Sequence, residues 1–364
     1  MSDSSRRGWG PAASAKMTGL RQAWPTPSHP RPIVIIGAGA IVRTAHLPAY
    51  RRLDLPVAGI YDIRVDAAQE TARAFDLPVV FHSLDEAAAR GDVVFDLAVP
   101  GDQIQRVIER LPEGAALLIQ KPMGENLDGA RRILATCHDR RLTAAVNFQL
   151  RFSPNMIALG QLIEERRLGE LTDVEVRVVD RQPWEQWSFL QHAPRLEVLY
   201  HSIHYLDAIR SLAGEPRGVY CRAVAHPALG SFRDTRSSII LDYGDRLRCS
   251  LTLNHTHASN GRHRASMFKV EGTAGAAILT LGVNLDYPSG PPDQLEVALG
   301  GGSWQPVPLR GSWFTEAFEG PMSNLQRFIA GDDAALVSPV DDAIKTMAVV
   351  EACYRSSASG GTPL

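Results

Sequence analysis

The sequence predicts an α/β protein in two parts, a doubly wound parallel sheet followed by an α+β domain built on a large, mostly antiparallel sheet. Three observations predict it. Strand-like and helix-like patterns alternate from residue 31 to about 150, the order that lays helices on both faces of a parallel sheet. After residue 150 the strands alternate apolar and polar residues, as half-buried antiparallel strands do. At 364 residues the chain also exceeds what one hydrophobic core usually holds. The expected divisions are a disordered tail over 1–30, a first domain over 31–150 and a second over 151–364.

The first domain is organised around RPIVIIGAGAIVRTAHLPA. Ile33, Val34, Ile35 and Ile36 form an unbroken β-branched run suited to a strand buried on both faces. Gly37 and Gly39 let the backbone turn tightly and approach a ligand, and the following helix aims free N–H groups and a positive dipole end at it. Ala40 and Ile41 open that helix. The third small position is Val42, which holds the helix slightly off the strand. A second strand, Val57–Tyr61, ends in Asp62, placed to accept hydrogen bonds from an adenosine ribose. A Rossmann dinucleotide site is therefore expected. NAD is favoured over NADP because Asp62 would repel a 2′-phosphate, with Arg64 two residues on to soften that preference.

The remaining elements follow in order. Asp66–Phe75 is a helix, Val79–Phe81 a short third strand, and Ser83–Ala89 a helix capped by Ser83 or Asp85. Asp92–Val99 is a fourth strand broken by Pro100-Gly101. Gln103–Leu111 is helical, Ala116–Ile119 a fifth strand, Leu127–Arg140 a helix and Leu142–Val146 a sixth strand. Gly37–Ile41, Asp62, Val99-Pro100, Gln103 and Gln120-Lys121-Pro122 should converge at the carboxyl ends of these strands. Beyond Pro154–Arg166, a helix, strands are expected at Leu171–Asp180, Gly218–Ala225, Ser237–Leu241, Arg246–Leu253, Ser266–Glu271, Ala276–Thr280 and Gln294–Leu299. Tyr243-Gly244-Asp245 makes a hairpin turn. Helices are expected at about Glu197–Leu212, Trp313–Ala330 and Val340–Ser356.

Two groups of residues carry candidate chemistry. Lys121 closes a strand at the ligand crevice. Its ammonium can hold a substrate hydroxyl, and desolvation would lower its pKa enough to relay a proton. Glu197, Tyr200, His201, His204 and Asp207 are spaced three or four apart, so Glu197/His201, Tyr200/His204 and His204/Asp207 should neighbour each other along one helix. His204 titrates near neutrality and can accept a proton from an alcohol. Glu197, His201 and His204 are adequate zinc ligands, but the spacing matches no familiar zinc helix motif, and no metal is expected. Trp184 and Trp187 can stack on a sugar face or pack in a core. Asn254-His255-Thr256-His257 leaves a strand and can border the pocket; with His263 it reads more readily as an ordinary polar loop.

Bulk properties exclude several classes. Hydrophobic residues make 45% and charged residues 21% of the chain, and the net charge is −2, with no pull toward nucleic acid or an anionic membrane. No apolar run approaches the ~20 residues of a membrane span. The four cysteines show no C-x-x-C spacing, so free buried thiols in a reducing cytoplasm are expected. Arg6-Arg7 is followed by no apolar stretch, which argues against an export leader.

Taken together, GAGAI…HLPAY, the QKPM stretch at Gln120–Met123, and His204-Tyr-Leu-Asp207 followed by Gly214 resemble the Gfo/Idh/MocA family of NAD(P)-dependent sugar and polyol oxidoreductases. The resemblance covers about residues 31–356. It implies an N-terminal Rossmann domain and a C-terminal open-sheet domain that often mediates oligomers, hence a homodimer or homotetramer. It implies Lys121 and His204 as the catalytic pair, acting on a secondary alcohol of a sugar, polyol or sugar acid. Asn147 and Arg151 fall where the family places substrate-domain entry residues. Three departures stand out: Gln120 replaces the usual Glu, Tyr200 stands where many members have Asp, and Gln103 sits where a His is common. Tyr200, Glu197 or His201 would have to substitute for the missing Asp. The family also contains enzymes that cycle NAD within one turnover, giving isomerases or glycosidases. A non-catalytic sugar or NAD sensor is a further alternative, against which the retention of Lys121 and His204 argues.

Overall fold

The computed structural model describes residues 19–364 except 185–186, 192, 231 and 258–260. Arg6-Arg7 and the first half of the expected tail lie outside the described residues. Two sheets dominate. The first contains β1 (Ile33–Ile36), β2 (Val57–Tyr61), β3 (Val94–Leu97), β4 (Ala116–Gln120) and β5 (Thr143–Asn147), all parallel, in the order β2-β1-β3-β4-β5. The chain reverses its winding between β1 and β3, which opens a crevice at their carboxyl ends. α1 (Leu47–Arg52), α2 (Val65–Phe75), α3 (Leu84–Ala88), α4 (Ile104–Ile108) and α5 (Leu127–Asp139) connect the strands. Ser83 caps α3 by accepting from the Glu86 N–H at 3.0 Å.

Two local expectations change. Val79–Phe81, expected as the third strand, is not a strand of the sheet. Ile60 N–H donates to the Val79 carbonyl and Phe81 N–H to the Ile60 carbonyl, and the pairing stops at that single bridge. Pro78 brings no N–H, and the Ser83 cap begins a helix only two residues later. The first crossover also starts as a π-helix, Val42–His46, before α1. Val42 is fully buried in the position a small residue would fill, and the wider coil accommodates it.

α6 (Pro154–Glu164) leads into the second sheet, ordered β13-β12-β11-β10-β6-β9-β8-β7. Its strands are β6 (Leu171–Val179), β7 (Gly218–Val224), β8 (Arg236–Asp242), β9 (Arg248–Asn254), β10 (Ala265–Gly272), β11 (Gly275–Thr280), β12 (Gln294–Leu299) and the two-residue β13 (Gln305–Pro306). β6 runs antiparallel to β10 but parallel to β9; the other described pairs are antiparallel. α7 (Ile203–Ala213) and α9 (Val340–Ser359) cover its inner face. α8 (Glu319–Ala330) returns to the parallel sheet, where Phe318, Met322 and Leu325 share a core with Ile33, Ile35 and Leu118. The four cysteines are buried and free.

Residues 19–30 depart from the expected disordered tail. Arg21 pairs with Glu164 at 2.6 Å, Gln22 bonds the Pro308 carbonyl, and Trp24 donates to Asp333 at 2.8 Å while its ring sits edge-on to Phe152 at 5.4 Å. Composition alone hid this, because few but well-spaced anchors hold the segment.

Candidate active site

A cleft of about 670 Å³ runs from the glycine turn to the inner face of the second domain. Gly37 has φ 111°, and a Cβ there would collide with the Ala98 carbonyl on β3's exit loop. Gly39 has no neighbour within 4 Å of a built Cβ, so its missing side chain leaves open space at the head of the crossover helix. That is room for a pyrophosphate against backbone N–H groups. Asp62 Oδ2 accepts from Ala38 N–H and Oδ1 from Arg64 N–H, both at 2.7 Å. The carboxylate thus ties β2 to the glycine turn, and each oxygen keeps a lone pair for a ribose hydroxyl. Ala40, Ile41, Arg64, Pro100, Gln103 and Gln120 line the same end.

Lys121 follows β4 and faces the middle of the cleft. Burial lowers its pKa to about 7. Its Nζ donates to the Tyr200 carbonyl at 2.7 Å. His204 lines the cleft from α7, its ring edge-on to Trp313 at 5.2 Å. Desolvation, and then the nearby Lys121 charge, hold the His204 pKa well below the usual imidazole range.

Of the expected helical pairs, Glu197 and His201 remain neighbours, with donor atoms within 4.8 Å; Tyr200 and Asp207 bond elsewhere, and Val198–Ser202 winds as a π-helix before α7. The wider turn shifts the register by one residue. Glu197 Oε1 therefore accepts from Ser202 Oγ at 2.6 Å, five positions on. Tyr200 turns its hydroxyl to Glu125 at 2.7 Å, and burial followed by that carboxylate raises its pKa. Asp207 is held by Arg151 and Thr346. His204 Nδ1 is left with no hydrogen-bond partner, so none of Tyr200, Glu197 or His201 bonds that atom.

Lys121, Tyr200, His201, His204, Trp184 and Trp187 line the cleft. Asn147 and Arg151 do not. Asn147 lies 3.3 Å from His46 in a buried group completed by Asp96 and Tyr50. Arg151 is spent on Asp207, Asp342 and the Val337 carbonyl, at 2.6–2.9 Å. Sequence reasoning missed Asn284, Tyr287, Trp313 and Phe314, which form the far wall. It also missed His255, which is fully buried rather than in a polar loop. Its Nδ1 lies 2.6 Å from Asp180. Burial alone would lower the His255 pKa, but Asp180 and Glu197 outweigh it and push it up to about 9.

A parallel-sheet crevice with a glycine turn, lined also by an imidazole of the second domain and a lysine beyond a strand end, is the site of a nicotinamide-dependent dehydrogenase acting on CH–OH groups. The family model described as oxidoreductase family, NAD-binding Rossmann fold, matches residues 31–148, and the model of the GFO/IDH/MocA C-terminal domain matches residues 156–278. The chain belongs to the Gfo/Idh/MocA family. It is 26% identical over 339 residues to inositol 2-dehydrogenase of Rhizobium meliloti strain 1021, covering 89% of this chain and 96% of that protein. It is 25% identical over 350 residues to D-apiose dehydrogenase of Paraburkholderia graminis, covering 90% and 88%. The fold is shared with an Agrobacterium radiobacter oxidoreductase solved with NAD+, L-tartaric acid and magnesium (TM-score 0.76, 18% identity, 92% and 98% covered). It is shared too with aldose-aldose oxidoreductase from Caulobacter crescentus complexed with glycerol (TM-score 0.77, 17% identity, 92% and 99% covered). No described helix is long and apolar enough to cross a membrane.

Proposed function

We propose that the protein oxidises a secondary alcohol of a sugar, polyol or sugar acid with NAD. The observation that carries this reading is Lys121, a part-buried amine with a pKa near 7 in the same cleft as the glycine turn and Asp62. When bound, the nicotinamide supplies the hydride acceptor. Gly37–Ile41 would hold the pyrophosphate and Asp62 the adenosine ribose, with its charge set against a 2′-phosphate. Lys121 takes the hydroxyl proton, since a base of pKa near 7 is matched to neutral pH. His204, which the sequence reading made the proton acceptor, has its pKa lowered by burial and then by the Lys121 charge, and holds the same oxygen from the α7 side. Trp184, Trp187, Tyr287 and Trp313 offer ring faces and edges to an apolar sugar face and exclude water.

Assembly as a homodimer or homotetramer and a cytoplasmic location belong to the same reading. The cross-strand pair Tyr220 and Ile240, 65% and 51% exposed on β7 and β8, supports a contact through the second sheet. The deciding experiment is NADH formation across a panel of inositols, aldoses, glycosides and aldonates, with NADP in parallel. Net NADH with one class supports the reading. A tightly held cofactor that turns substrate over without net NADH would replace it with internal redox cycling.

A further inference from the structure

Behind the stretch of cleft wall made by His201 lies a buried cluster that the reaction above does not use. Glu197 heads the wide turn, His201 sits within it, and His255 approaches from the end of β9. One donor atom from each lies within 4.8 Å of the others. Glu197 and His255 are fully buried. Glu197 Oε2 and His201 Nδ1 are without a hydrogen-bond partner, and His255 Nε2 has only a long contact, 3.4 Å, to Glu197 Oε1. Interior polar atoms are nearly always well paired, so unfilled donor positions on three converging residues point to a common partner.

We propose that Glu197, His201 and His255 bind a divalent first-row transition ion of the zinc class. Two imidazoles and a carboxylate are a zinc donor set, with a fourth position left for water or a substrate oxygen; nitrogen donors disfavour calcium and magnesium. The outer contacts fit that role. Asp180 holds His255 Nδ1 at 2.6 Å, which leaves Nε2 to ligate, and Gln182 in turn donates to Asp180 at 2.7 Å. Ser202 occupies Glu197 Oε1 and leaves Oε2 for the ion. Trp184 sets its edge against both imidazoles, at 5.6 and 6.4 Å, and shields them. His204 is not a member: its ring lies 6.3 Å from His201 and packs on Trp313. Because His201 lines the cleft, the ion would sit just behind the substrate space.

The test uses the full-length protein, stripped with EDTA and then titrated with Zn²⁺ and, separately, Co²⁺. Expected are about one tightly bound ion per chain, visible Co²⁺ bands of a low-coordinate site, and a raised Tm with Zn²⁺. Glu197→Gln and His255→Ala should each lose the ion, and His204→Ala should keep it. Circular dichroism checks folding; where His255→Ala does not fold, His201→Gln replaces it. The proposal is overturned if folded wild-type protein takes up no ion, which would leave His255 as a cation between Asp180 and Glu197. It is equally overturned if uptake survives in the ligand variants, or is lost only in His204→Ala.

Discussion

The Lys121 ammonium donates to the backbone carbonyl of Tyr200 at 2.7 Å, so the residue that follows a first-domain strand is clasped by the wide turn that precedes α7. The contact places the amine without using a charged partner. Burial can then depress its pKa unopposed.

Removing that amine should be the most damaging single change. Lys121→Ala is expected to lower kcat by about 10²–10⁴-fold while NAD affinity stays near wild type. His204→Ala should cost less, roughly tenfold, and act more on KM. Steady-state kinetics with separately measured NAD binding checks both. A larger kcat loss in His204→Ala would return the proton to the histidine.

The pH profile follows from the same group. Below its pKa Lys121 is protonated and cannot accept a proton, so kcat/KM for alcohol oxidation should rise with pH and level off above about 7. Carbonyl reduction needs the protonated form and should fall over the same range. Lys121→Arg, always charged, should lack this limb.

Asp62→Ala should weaken NAD binding by about tenfold and raise the relative use of NADP, since it removes a ribose acceptor and a repulsive charge. The same change frees the Ala38 N–H that Asp62 holds at 2.7 Å. Asp62→Asn, which keeps an acceptor without the charge, should therefore recover more NAD affinity than alanine. Fluorescence titration with both cofactors measures it. A wild-type preference for NADP would refute the assignment.

Arg151→Met should strike stability rather than catalysis. It leaves Asp207, only 1% exposed, without its bidentate partner. Stranding a buried charge in this way costs about 3–5 kcal/mol. Urea denaturation should show the loss with KM little changed in the folded fraction. A raised KM at unaltered stability would restore the substrate role that Arg151 was expected to play.

Deleting residues 1–18 should leave Tm within a degree or so, since that stretch has few apolar residues to bury. Deleting 1–30 should lower it by several degrees. Trp24→Ala alone should cost about 1–2 kcal/mol, from its half-buried ring and the bond to Asp333. Thermal scans of the three variants separate these contributions.

Most strands of both sheets were legible because they carry a local signal: Ile33–Ile36 as an unbroken apolar run, β6 as apolar and polar alternation; the two-residue β13 carries none. Ten residues expected at the cofactor end, from Gly37 to Lys121, line the cleft because parallel strands force their carboxyl ends together. The register around His204 was not legible. A regular 3.6-residue period places Tyr200 beneath His204, and one extra residue in the turn at Val198–Ser202 undoes it. Trp313 and Tyr287 were invisible for another reason, since a loop more than 80 residues beyond His204 gives no local sign of where it will return. His255 looked like loop polarity because its partner Asp180 lies 75 residues away.

The return of α8 to the parallel sheet bears on how the chain is made. Ile33, Ile35 and Leu118 acquire part of their cover from Phe318, Met322 and Leu325. At ribosomal rates of about 5–20 residues per second, the first domain waits roughly ten to forty seconds for it. Through that interval a partly covered apolar face is offered to chaperones or to neighbouring nascent chains. A product terminated before Glu319, where α8 starts, is not a smaller cofactor-binding module but an unfinished and adhesive one.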